Sequence, residues 1–419
     1  QNQKYFPLVD GRGKLLNRFL IVANMEIAHP HHIVHGNERV LRARLADARF
    51  FYDQDRRASL ASRVPGLAHV VFHNRLGSQL ERVQRIERLS AVIAGRLGAS
   101  DMLARRAAHL SKADLLTGMV GEFPELQGVM GMHYARHDGE PDAVAAAIEA
   151  HYHPRFAGDS LPEDALGASV ALADKLDTLV GIWGIGLQPT GDKDPFGLRR
   201  AALGIVRILV ERELPVDLAE LLRDAHSAYA GREVKDAVGE LHAFILERLR
   251  SALRERDYAA DEVDAVLAAA PTRLDLVLPR LEAVRAFRRL PEAESLAAAN
   301  KRIRNILRKS ERIAQASADA RLFREEAERD LHRAIARIRA DVEGKAAARE
   351  YAESLRLLAE VRPQVDKFFD EVLVNAEDPA LRQNRLRLLG ELEHILNQVA
   401  DISKLAVRGG DEGRAAGSR

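Results

Sequence analysis

The 419-residue sequence predicts a mainly α-helical, multi-domain protein with a small α/β segment at its N-terminus. Three observations carry this reading. β-Prone runs are confined to roughly the first 75 residues, and from Gly77 onward apolar residues recur at the three-and-four spacing of amphipathic helices. After Pro215 the composition shifts to Ala, Leu, Arg and Glu, punctuated by Gly and Pro.

In chain order, Lys4 to Val9 and Lys14 to Ala23 flank Asp10-Gly11-Arg12-Gly13, a hairpin signal. His29, His31, His32 and His35 follow around Pro30; in a Pro-containing turn they match no rigid metal-ligand spacing, so an exposed loop is expected. Arg42, Asp47 and Arg49 read as an ion-pair network on a helix that buries Leu41, Leu45 and Phe51. Leu80, Val83, Ile86, Ile93 and Leu97 mark the next helix, with Gly98 as its stop. Further helices are expected over about 101–119, 141–151, 165–181 and 195–212. Before the last of these, Pro189-Thr190-Gly191-Asp192 supplies a turn, Asp194 suits an N-cap and Pro195 the first helical position. That helix carries Phe196, Leu203, Ile205, Val206 and Leu209 on one side and leaves Arg199 and Arg200 near its start, either to meet Asp192 and Asp194 or to await an anionic partner. Breaks are expected near Gly231, Pro271 and Pro291, then at Gly344, Pro363 and Asp378-Pro379; the Gly-rich tail from Arg408 to Arg419 should be disordered. The resulting division is 1–75, 76–215, 216–295, 296–405 and a tail from 406 to 419.

Composition narrows the function classes. Cysteine is absent, which excludes disulfides and thiolate metal sites and fits a reducing interior. No apolar run long enough to cross a membrane occurs, so a cytoplasmic protein without membrane contact is expected. The net charge is only +1, so any nucleic acid must be held by local basic faces. Phosphate-loop, His-Glu-x-x-His and nucleophile-elbow signatures are missing, and no catalytic residue is assigned. The positive signal is Ala299 to Lys309, with five basic residues and no acid. On a helix, Ile303, Ile306 and Leu307 turn inward while Lys301, Arg304 and Arg308 line one ridge, with Arg302 beside it, suited to phosphates. The competing reading pairs this face with Glu325, Glu326 and Glu328. A second RNA-binding candidate is Arg382, Gln383, Asn384 and Arg385, planar groups opening a helix and able to reach unstacked bases.

Several blocks also carry a family resemblance: Gln3-Lys4-Tyr5-Phe6-Pro7, Gly36-Asn37-Glu38-Arg39-Val40, Arg44 to Phe51, Glu122-Phe123-Pro124-Glu125-Leu126-Gln127-Gly128, the stretch from Ala173 to Arg200, and Val374-Asn375-Ala376-Glu377-Asp378. In this order they closely resemble the beta subunit of bacterial heterotetrameric glycyl-tRNA synthetase, across essentially the whole chain. The resemblance implies a tRNA-binding subunit that recognises glycine tRNA and presents it to an alpha subunit, where glycine and ATP with Mg are used; two alpha and two beta chains are implied, with no cofactor in this chain. It implies a helical anticodon-binding domain over 296–405, a region that more distantly resembles arginyl-tRNA synthetase. Since family members carry a further N-terminal region and this chain opens on Gln1, it is expected to start mid-protein.

Residues 77–215 resemble an HD-type domain, the scaffold of metal-dependent phosphohydrolases. Asp174 matches the later Asp of that motif and His151 a ligand histidine, but Ser111-Lys112 stands where the central His-Asp pair belongs. An ammonium group there repels a divalent cation and removes a ligand, so no metal is expected. An active HD phosphohydrolase and a purely structural assembly subunit are the alternative functions.

Overall fold

In the computed structural model of the chain, residues 5–24, 28–310 and 317–406 are described. The Gly-rich tail and residues 3–4 of the first matching block lie outside them. Strands β1 (Phe6–Val9) and β2 (Leu15–Leu20) form the expected antiparallel hairpin, with Phe6 opposite Leu20 and Val9 opposite Leu15. Asp10 shapes its turn by accepting the backbone N–H groups of Arg12 and Lys14, each at 2.9 Å.

The histidine segment is not a loop. Helix α1 (His31–Asp55) begins within it, although His31, His32 and His35 are exposed as expected. The anticipated ion pairs of this helix also differ: Arg44 meets Glu122 at 2.5 Å and Arg49 meets Asp53 at 3.8 Å, while Leu45 is 62% exposed. Heptad-like spacing says which residues share a face, and Leu45 shares one that no described element covers. At the helix end, the buried Asp55 accepts the N–H groups of Gly118 and Met119 at 2.9 Å and the Tyr134 hydroxyl at 3.0 Å.

The short α2 (Leu60–Arg63) and the two-stranded β3 (Val71–His73) and β4 (Gly77–Ser78) lead into α3 (Gln79–Arg96), opened by a reciprocal capping box between Ser78 and Glu81. Gly98, at φ 72°, ends that turn as the sequence requires. The next expected helix splits into α4 (Asp101–Leu110) and α5 (Gly118–Glu122), because the intervening Ser111 to Thr117 turn brings Lys112 and Asp114 inward. Helices α6 (Val129–His137), α7 (Asp142–Ala150), α8 (Ala165–Gly184) and α9 (Leu198–Glu211) complete the bundle. α8 is its axis: apolar nearly all round, it packs on α3, α4, α7 and α9, the pattern of a fully buried helix. Replacing Gly181 on this helix with Ala would drive a Cβ into the Tyr229 hydroxyl, which donates to the Asp177 carbonyl at 2.8 Å. Overpacking of this kind is expected to lower stability by about 1–3 kcal/mol in urea denaturation; an unchanged midpoint would contradict the packing described.

The start of α9 differs from expectation. Gly197, at φ 67°, precedes the helix, and Asp194 caps from further back by accepting the N–H groups of Leu198 (2.8 Å) and Arg199 (2.9 Å). Phe196 therefore leaves the helical face and sits edge-on to His73, with ring centroids 5.8 Å apart.

Helices α10 (Leu218–Ser227), α11 (Val238–Arg254), α12 (Ala260–Leu267) and α13 (Val277–Phe287) form the next layer. The C-terminal bundle comprises α14 (Ala293–Lys309), α15 (Glu326–Ala347), α16 (Tyr351–Leu358), α17 (Arg362–Glu371) and α18 (Pro379–Leu396). Gly344 does not interrupt α15; the helix runs to Ala347, and Arg349 at φ 64° turns the chain. Asp378 caps α18 with Pro379 in its first turn, as read from the sequence. Beyond α18, Asp401 donates its N–H to the Ala265 carbonyl and Ala406 donates to the Asp261 carboxylate, both at 2.9 Å, fastening the last described residues to α12.

Candidate nucleic-acid interface

Helix α14 presents its basic run as the periodicity dictates. Ile303 is fully buried, Ile306 and Leu307 are half-buried, and Lys301, Arg302, Arg304, Arg308 and Lys309 are exposed. Its inner face is fixed by a reciprocal amide pair, Asn300 to Asn397 at 2.9 Å and back at 3.3 Å.

Two grooves flank the ridge, and they differ in charge. One, of about 520 Å³, is lined by Lys301, Arg302, Asn305, Lys309, Ser310 and Asn375 with Ala298 and Ile306, and contains no carboxylate. The Arg302 guanidinium lies over the Phe369 ring at 4.3 Å, which orients it while leaving its edge N–H groups free for an anion. The other, of about 630 Å³, includes Glu393 along with Lys301, Arg304, Arg308, Ser403 and Lys404. Here Arg304 is already engaged, bound tightly to Asp401 and lying 3.4 Å from Glu393. Arg304 thus clamps the segment after α18 rather than standing free on the ridge. Two of the acids set against the ridge in the sequence are occupied elsewhere, Glu326 with Arg329 and Arg333 and Glu328 with Arg385, while Glu325 sits at the N-cap of α15 and donates its backbone N–H to Glu328. Among the described residues, Lys301, Arg302, Arg308 and Lys309 have no ion-pair partner.

The second candidate set divides. Arg382 is exposed and Gln383 half-buried, but Asn384 and Arg385 are buried and cannot read bases. Arg385 meets Glu328 through two N–H groups at 2.8 and 3.3 Å and donates to the Leu373 carbonyl at 2.7 Å. Asn384 accepts the Asp319 N–H at 2.7 Å and donates to the Asp319 carbonyl at 3.0 Å. Local spacing shows a polar helix start; only the arrival of residues 319 and 328 turns one side of it into core. Near α9, the Arg199 guanidinium donates to the Gly191 carbonyl at 2.5 Å, and Arg200 is exposed. Neither guanidinium pairs with Asp192 or Asp194 among the described residues. Sequence reasoning missed Asn375 and Lys404 as groove residues; Asn375 lies in a block that carries the resemblance, but nothing local places it beside Lys301.

The HD-like positions converge in the core of the α3–α9 bundle. Lys112 Nζ lies 3.0 Å from Asp174 Oδ1 and 2.8 Å from His151 Nε2, and Arg82 donates to Asp174 at 2.9 Å. Burial drives the Lys112 amine down to about 8 against the attraction of Asp174, and drives His151 well below its ordinary range, keeping it neutral. Asp174 is opposed by burial too, but Arg82 and Lys112 outweigh it and hold the carboxylate ionised. Ser111 is spent on the Ala108 carbonyl at 2.7 Å. With an amine already within bonding distance of both ligand groups, these residues do not fit a divalent ion.

Residues 1–268 match the family model described as glycyl-tRNA synthetase beta subunit, and residues 296–406 match the DALR anticodon binding domain. The chain is 58% identical over 407 residues to the glycine–tRNA ligase beta subunit of Aromatoleum aromaticum. It is 56% identical over 406 residues to that of Ralstonia nicotianae and 56% over 407 to that of Thiobacillus denitrificans. Each alignment covers 97% of this chain and 58% of the relative, so the chain spans less than two thirds of the length of the curated relatives it matches.

Proposed function

This chain belongs to the glycyl-tRNA synthetase beta-subunit family, and from that premise we propose that it binds glycine tRNA through the exposed ridge of α14 and positions it for aminoacylation on a separate alpha subunit. The observation that carries the reading is the acid-free groove beside α14, where Lys301, Arg302 and Lys309 stand unneutralised within a region matching an anticodon-binding domain. Phosphates entering it release their counterions, and the amides of Asn305 and Asn375 can bond a base edge or ribose. The catalytic gain is orientation: a tRNA held at its anticodon arm makes the encounter of its acceptor end with the alpha-subunit active site effectively unimolecular. In this reading ATP and Mg belong to the alpha subunit, two alpha chains join two beta chains, and the work is done in the cytoplasm.

The test is binding of the chain to glycine tRNA and to the same tRNA with an altered anticodon across a salt series. The Lys301→Ala/Arg302→Ala/Lys309→Ala variant is expected to bind roughly 10–100-fold more weakly at low salt, with the log–log salt slope shallower by about 2–3. Arg304→Gln, whose parent side chain is held by Asp401, should change affinity far less. Weak binding that is equal for both RNAs and unaffected by the triple variant would instead favour a structural assembly role. The hydrolase alternative has no supporting observation, since Lys112 stands between Asp174 and His151.

A further inference from the structure

Arg302, on the basic ridge of α14, is held by an aromatic ring. Its guanidinium carbon lies 4.3 Å from the centroid of the Phe369 ring, and among the described residues it makes no hydrogen bond or ion pair. Phe369 is half-buried near the end of α17 and is fixed edge-on by the fully buried Phe368, with ring centroids 5.6 Å apart at 80°. The planar cation therefore rests on an anchored support and gives its other face to the acid-free groove that it lines. A phosphate uses the edge of a guanidinium, whereas a nucleobase uses its face. Lys301, Asn305 and Lys309 follow one another at a spacing of four along the helix, so two ammonium groups and an amide stand beside that face. Arg308 donates to Asn305 Oδ1 at 3.4 Å, which leaves the Asn305 N–H groups to offer. At about 520 Å³ the groove is of a size that holds a single small ligand.

We propose that Arg302 and Phe369 form a stacking platform for one unpaired nucleotide: its base lies on the open face of the guanidinium, an acceptor on the base edge takes an N–H from Asn305, and its phosphates meet Lys301 and Lys309. The inference rests on the RNA-binding reading and adds to it, since a ridge of charges alone holds any phosphate backbone, helical or single-stranded. A paired base has both faces covered by its neighbours in the stack and cannot use the platform, while a base turned out of a loop can. Arg302 is thereby the residue that tells a loop from a helix. A lysine cannot replace it, because an ammonium is a point charge without a plane.

The experiment compares the parent chain with Arg302→Lys across a salt series, on glycine tRNA, on the same tRNA with an abasic nucleotide at each anticodon-loop position in turn, and on a blunt RNA duplex. Arg302→Lys is expected to weaken tRNA binding by roughly 5–100-fold while keeping the log–log salt slope, because the charge remains. Duplex binding should be the same for both proteins. At one loop position the abasic tRNA should bind the parent as weakly as intact tRNA binds the variant, and the variant should not weaken further there. A tRNA affinity that Arg302→Lys leaves within about twofold, a loss shared equally by the duplex, or a loss that no abasic position reproduces would each overturn the platform and leave the phosphate-binding ridge standing. A parent chain that binds none of these RNAs in a salt-dependent way overturns the ridge and the platform together.

Discussion

Arg385→Ala is expected to cost about 3–5 kcal/mol of folding stability, since it strands a carboxylate inside the C-terminal bundle. Arg385 and Glu328 are 4% and 0% exposed, and their two-fold hydrogen bond joins α18 to the start of α15. Glu328 also accepts the backbone N–H groups of Arg324 and Glu325, at 2.8 and 2.7 Å, so its loss of charge would loosen the helix cap as well. Burial works against the Glu328 carboxylate, but Arg385 and those N–H groups outweigh it and hold its pKa below the ordinary 4.5. A lowered native pKa means that the pair's contribution is complete above about pH 4.5 and is lost as pH falls through the native value. The gap between parent and variant should therefore narrow in acid. Chemical denaturation from pH 7 downward measures both effects; a loss under 1 kcal/mol at pH 7, or a gap independent of pH, would contradict the buried pair.

A loss of similar size, about 3–5 kcal/mol, is expected for Asp177→Ala at the axis of the first bundle. The Asp177 carboxylate meets Arg85 at 2.6 and 3.3 Å and lies 3.5 Å from Arg82. Without it, Arg85, 3% exposed, keeps only the Leu76 carbonyl at 3.3 Å and the Tyr229 ring face at 4.2 Å. The cost is that of a buried guanidinium left without its carboxylate. Asp177→Asn, which retains one acceptor oxygen without the charge, should fall between the two proteins. Equal midpoints for Asn and parent would show that hydrogen bonding, and not charge, secures Arg85.

The sequence foretold helices better than it foretold partners. Periodicity located α3 and α14, and the Asp378-Pro379 cap announced α18, because these signals lie within a few residues of one another. The exposed ridge on α14 was legible for the same reason. What escaped was set by distant segments: Asn384 and Arg385 look like surface until Asp319 and Glu328 arrive, and Arg304 looks free until Asp401 reaches it. Residue identity at Lys112 announced that a metal ligand was missing, but not that the amine itself would reach both Asp174 and His151. The start of α9 failed for a local reason, since an Asp can cap a helix from further back when a left-handed glycine intervenes.

The attachment of the segment after α18 has a mechanical consequence. Asp401 grips Arg304 of α14 with its side chain and Ala265 of α12 with its backbone, and Ala406 adds a second fastening on Asp261. Helix α14 is thus a cantilever bolted to the body, not a flap on a swivel. A load applied at Lys301 or Arg302 would pass through Arg304 and Asp401 into α12, in the middle of the molecule, instead of being dissipated in a flexing joint.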